Sequence, residues 1–143
     1  MIALALMAVA AVADCNRLPT TIARDECELS QSLELDEGDR PFDCKGLKTQ
    51  ADMNVCSYRD YLRSDIELNQ VWDAVTKRLA RDSSAGRTVL ESQRAWLTYR
   101  DKQCNVWAKW YEGGTVAALM INNCLTDITK FRTKELAQFL EGN

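Results

Sequence analysis

A chain of 143 residues has room for one domain, and 46% hydrophobic against 27% charged residues is enough to bury a core. Six glycines and two prolines argue against a loop-rich β architecture or a disordered chain. The net charge of −3 is unevenly spread: residues 14–43 hold nine acids and three arginines, a balance of −6, whereas the remainder comes to +3, which speaks against nucleic acid as the partner of the acidic segment.

Residues 1–13 are uncharged and almost wholly Ala, Val, Leu, Ile and Met, ending in Ala11-Val12-Ala13. The run is too short to span a bilayer, which takes roughly 20 apolar residues. It has the length and the small-x-small ending of a signal peptide. The basic start usual in such a segment is missing, as it would be if Met1 were a misplaced start. Asp14 stands where a small residue precedes a lipidated cysteine, so a lipid anchor at Cys15 is not expected. No stable membrane insertion is expected once the signal is cleaved, and the mature chain is placed in the periplasm or outside the cell.

Residues 14–41 read as an irregular acidic arm with a short helix around Thr20–Leu33, and Arg40-Pro41-Phe42 marks the boundary with a helical body over residues 42–143. Thr49 and Asp52 form a capping box for a first long helix. In it Tyr58, Tyr61, Leu62, Leu68, Trp72, Val75 and Leu79 recur at three- and four-residue spacing. Residues 82–86, Asp-Ser-Ser-Ala-Gly, end it as a turn. A second helix over Arg87–Glu112 carries Leu90, Leu97, Cys104 and Tyr111 at seven-residue spacing and stops at Gly113-Gly114. Thr115 is the expected N-cap of a third, running to about Leu140 with Met120, Cys124, Ile128, Phe131, Leu136 and Phe139 inward. Short connections make neighbours antiparallel, so the fold class is all-α: a disulfide-stapled up-down-up bundle of three main helices with an acidic N-terminal arm.

Cysteines at 15, 27, 44, 56, 104 and 124 suit an exported protein with three disulfides. A metal site is not expected, because there is no CxxC pair and no histidine. Folding helices two and three back about Gly113-Gly114 sets Cys104 beside Cys124, each ten residues from Gly114. Cys56 would lie about nine residues, or ~13 Å, out of step with Cys104, beyond the about 7 Å that a disulfide spans. The predicted order is therefore Cys15–Cys27, Cys44–Cys56 and Cys104–Cys124.

Asp65 falls on the inward stripe of helix one and Arg100 near that of helix two, about one turn apart across the pair. They are expected to form a partly buried ion pair, with Asn69 and Gln93 completing the hydrogen bonds. Its expected role is structural. Carboxylate catalysis usually needs a second acid to share the work, and Asp101, next to Arg100, turns to another face. Without histidine there is no Ser-His-Asp or Cys-His arrangement, and no GxSxG, P-loop or dinucleotide turn appears, so the chain reads as a binding protein and not as an enzyme.

Several stretches have a family likeness: Asp43-Cys44, the run from Thr49 to Cys56, the run from Asp65 to Asn69, and Gln93-Arg94-Ala95-Trp96-Leu97-Thr98-Tyr99-Arg100-Asp101 followed by Cys104, Cys124 and Arg132. Together they resemble the LprI-type lysozyme-inhibitor domain over about residues 42–140. The resemblance implies a secreted or periplasmic helical domain with no cofactor and, for some members, inhibition of lysozyme. No family motif marks the inhibitory residues.

The expected partner is a lysozyme or similar cell-wall hydrolase, many of which are strongly basic. Contact residues are sought in the arm at Glu34, Asp36, Glu37 and Asp39, which would steer a basic partner. Trp107, Trp110 and Tyr111 are the expected anchors. Two alternatives remain: an immunity or accessory protein for another wall hydrolase such as an amidase, and an envelope structural or stress protein with no hydrolase partner.

Overall fold

The computed structural model describes residues 14–17, 24, 27, 44–46 and 49–141. The acids at 34, 36, 37 and 39, residues 1–13 and most of the expected short helix lie outside them. Among the described residues the body is three long helices in up-down-up order: α1 Gln50–Arg78, α2 Ser84–Trp110 and α3 Ala117–Glu141. Among the described residues before them, Cys15–Arg17 form a 3-10 turn and Arg24 and Cys27 are helical.

Local chemistry sets the helix ends. The Thr49 hydroxyl accepts from the Asp52 amide at 3.1 Å, and the Asp52 carboxylate accepts from the Thr49 amide at 3.1 Å, satisfying two N-terminal donors reciprocally. After α1 the chain turns at Ala80, whose φ of 53° is left-handed. Ser83 then caps α2, its hydroxyl accepting from the Gly86 amide and donating to the Leu79 carbonyl. A Cβ on Gly86 would run into the Ala80 carbonyl oxygen, so only glycine lets the two helices turn this sharply. α2 thus starts at Ser84, three residues earlier than expected, because the serines read as turn are its cap and first turn. α3 starts at Ala117 with Val116 in the cap position; Thr115, the expected cap, offers its carbonyl to Asn54 Nδ2 of α1 at 2.9 Å.

α3 packs along both other helices, most closely against α1, while backbone approach between α1 and α2 is slight. Leu68, Val75, Val89 and Leu136 form the apolar core, with Trp72, Leu79, Trp96 and Leu140 packed around it. The remaining seam is polar: Ser57, Ser64, Thr126, Thr129 and Thr133 are all buried. The hydroxyls of Ser57, Ser64, Thr126 and Thr133 donate to carbonyls of their own helix, at 2.7–3.0 Å. Asn122 of α3 donates to Ser57 of α1 at 3.1 Å, and this parallel register sets Ser64 opposite Thr129 one heptad further along. Small side chains on both sides let these two helices approach closely.

The inward face of α2 differs from the expected stripe. Val89, Gln93, Arg100 and Cys104 are buried, whereas Leu97 points out. On α3, Phe131 and Phe139 are exposed, and Thr129, Arg132, Thr133 and Leu136 take the seam. Apolar periodicity placed Cys104 and Leu136 inward correctly but missed the rest of both faces, because the other buried positions are largely polar. The disulfides join Cys15 to Cys27, Cys44 to Cys56 and Cys104 to Cys124, with Cα separations of 5.6, 5.8 and 5.5 Å. This is the nested order that the fold-back geometry predicts.

Candidate partner-binding surface

Two features of the body combine charge with aromatic rings: a buried ion-pair centre between α1 and α2, and an open groove between α2 and α3.

At the centre, Arg100 Nη1 donates to Asp65 Oδ1 at 3.0 Å, and both side chains are about nine-tenths buried. Asn69 Nδ2 donates to Asp65 Oδ2 at 3.0 Å and to the Asp65 carbonyl at 2.8 Å. Arg100 Nε donates to Asp101 at 3.0 Å, so Asp101 turns back onto its neighbour instead of facing away. The guanidinium carbon sits 5.1 Å from the Trp96 ring centre and 5.9 Å from that of Tyr61. Burial works against the Arg100 charge, but Tyr61, Asp101 and Asp65 outweigh it and hold its pKa above the ordinary arginine value.

Gln93 does not complete this pair. Its Oε1 accepts from Arg132 Nε at 2.9 Å, and Arg132 also reaches Ser92 Oγ at 2.8 Å and Glu135 at 3.1 Å. Trp96 lies within cation–π range of both guanidiniums. The network therefore ties α1 to α2 through Arg100, and α2 to α3 through Arg132. Both acids near Arg100 are committed to the same cation, an arrangement suited to fixing helix register.

The expected anchors separate. Trp107 and Tyr111 stack with centroids 6.0 Å apart and rings 18° from parallel, each half-buried. Trp110 is 75% exposed.

Sequence reasoning missed the groove. Trp96 and Tyr99 of α2 face Ile128 and Phe131 of α3 across it, with Asp127 and Glu135 on its α3 wall. Phe131 is 66% exposed and Tyr99 55%, unusually open for rings on two adjacent helices. A second depression adjoins it toward the α1–α2 turn, lined by Ser92, Thr88, Phe139 and Arg132, which is bonded to Glu135 of the first. Ile128, Phe131 and Phe139 look like core in the sequence, since apolar spacing alone does not say which side of a helix faces inward. No described helix is long and apolar enough to cross a membrane, and the described residues hold no cluster of metal-ligating side chains.

Residues 44–136 match the family model described as lysozyme inhibitor LprI. An uncharacterized protein of Rhizobium meliloti (strain 1021) is 34% identical over an alignment covering 70% of this chain and 80% of that relative. No solved structure matches.

Proposed function

The chain belongs to the lysozyme inhibitor LprI family, and from that premise we propose that it is an exported binding protein that inhibits a lysozyme-like peptidoglycan hydrolase. The family match, which spans the helical body from Cys44 to Leu136, carries this reading. Three disulfides suit an oxidising compartment outside the cytoplasm, where such a hydrolase works. Inhibition then works by occlusion: a stapled body presents a preorganised surface and loses little conformational entropy on binding. Glu34, Asp36, Glu37 and Asp39 supply long-range attraction for a basic enzyme, and the exposed ring of Trp110 supplies an anchor.

The test is a lysozyme activity assay with purified oxidised protein at low and moderate salt. Dose-dependent inhibition that weakens with salt is expected. If no lysozyme class is inhibited, the inhibitor reading fails, and a panel of other wall hydrolases, amidases included, decides what replaces it.

A further inference from the structure

We propose that the groove between α2 and α3 is the docking surface, and that its occupant is a cationic segment of a partner protein, with an arginine or lysine beside an apolar side chain. The proposal rests on the inhibitor reading for the partner's identity, but the chemistry of the site stands on the groove itself.

Three observations carry it. First, the exposed rings Tyr99, Phe131 and Phe139 open onto the depressions between α2 and α3. On α2, Thr88, Ser92 and Tyr99 follow at spacings of four and seven and share one face, without a charge among them. On α3, Ile128, Phe131 and Phe139 lie on the facing wall. Thr88 to Tyr99 alone spans about 16 Å at 1.5 Å per residue, a length suited to a segment and not to a single small molecule.

Second, the charges that line the groove leave an acidic surplus. Glu135 is taken by Arg132, whose guanidinium is buried and bonded to Ser92 and Gln93 as well. Asp127 is exposed and makes no ion pair among the described residues. A carboxylate beside Tyr99 and Phe131 offers a guanidinium both a counter-charge and ring faces to stack on. The chain's own acidic residues 25–39 have the wrong sign for this site.

Third, the groove is held open by its own frame. The Cys104–Cys124 disulfide ties α2 to α3 at one end, and Arg132 bridges them in the middle. Trp96 is braced from behind by Arg100 and Arg132. The rings are thus presented on a fixed wall, as an interface hot spot requires.

The experiment follows backbone amide shifts of the oxidised full chain during titration with a strongly basic c-type lysozyme. In parallel arms it is titrated with a synthetic arginine–leucine peptide and with its glutamate–leucine counterpart. Wild type is compared with Phe131→Ser, Asp127→Lys and, as a remote control on α1, Asp73→Lys. Circular dichroism melts check that each variant is folded. Saturable shifts at Tyr99, Asp127 and Phe131 are expected with lysozyme and the arginine peptide, and none with the glutamate peptide. Phe131→Ser and Asp127→Lys should each weaken binding at least tenfold, with Asp73→Lys within twofold of wild type.

Shifts that cluster elsewhere, or folded Phe131→Ser and Asp127→Lys variants that bind as wild type, would overturn the docking site. If this lysozyme does not bind and no lysozyme class is inhibited, the inhibitor reading fails. The arginine-peptide arm then decides the groove: mapped, charge-selective binding upholds it and no saturable shift overturns it. Sedimentation of wild type showing a dimer that Phe131→Ser dissolves would assign the groove to a second copy and overturn the cationic partner.

Discussion

Removing Arg100 should cost far more than removing Asp65, although the two are partners in one ion pair. In Arg100→Met, the Asp65 carboxylate stays buried with only Asn69 to donate to it. Breaking a buried pair in this way costs about 3–5 kcal/mol. In Asp65→Asn, Arg100 keeps the Asp101 carboxylate at 3.0 Å and its contacts with Trp96 and Tyr61. The new amide oxygen still accepts from Nη1, while its NH2 no longer accepts from Asn69, which keeps the carbonyl of residue 65 at 2.8 Å; the loss is one weakened and one lost hydrogen bond, about 1–2 kcal/mol. With a urea m-value of about 2 kcal/mol per molar, the midpoint should fall by about 2 M for Arg100→Met and by less than 1 M for Asp65→Asn. Replacing both with apolar residues of similar size, Asp65→Leu with Arg100→Met, should recover most of the loss. Urea unfolding followed by circular dichroism measures all three. If Asp65→Asn costs as much as Arg100→Met, or the double variant is less stable than Arg100→Met alone, the account of Arg100 as a multiply supported cation is refuted.

Cys104→Ala with Cys124→Ala opens a 20-residue loop and should lower stability by about 3 kcal/mol on chain entropy, read from urea curves of the oxidised protein. Ala80→Gly should raise stability by about 0.5–1 kcal/mol, seen as a higher melting temperature, because φ of 53° strains any residue with a Cβ. Gly86→Ala should do the reverse by about 2 kcal/mol or more, since its methyl meets backbone and not a movable side chain. The buried Thr129 hydroxyl has no hydrogen-bond partner among the described residues, so Thr129→Val should stabilise by about 1 kcal/mol in the same melts.

The helices and the disulfide order were legible because they rest on local signals: the Thr49–Asp52 box, the glycines at 86 and 113–114, and the equal distances of Cys104 and Cys124 from the second turn. The Asp65–Arg100 contact follows from the same fold-back geometry. Which face of each helix turns inward was less legible. Periodicity finds the core by looking for apolar residues, and here Gln93, Arg100, Thr129, Arg132 and Thr133 lie inside while Leu97, Phe131 and Phe139 lie outside. Gln93 was assigned to the wrong arginine for a related reason. Helix spacing placed it near the seam, but the seam has two guanidiniums, and Arg132 stands directly across from it. The groove stayed invisible because its rings sit at spacings that also describe a core.

The short serine and threonine side chains between α1 and α3 also separate two tasks within one small bundle. Most of those hydroxyls bond within their own helix, so the close α1–α3 contact owes little to Tyr99, Ile128 or Phe131. The groove residues Tyr99, Ile128 and Phe131, for their part, stand outside the apolar core cluster. If the groove is the docking surface, exchanges at 99, 128 and 131 should change its binding while the folding unit is left as it was. A protein built this way can follow a changing target by recutting one wall, with no renegotiation of the frame behind it.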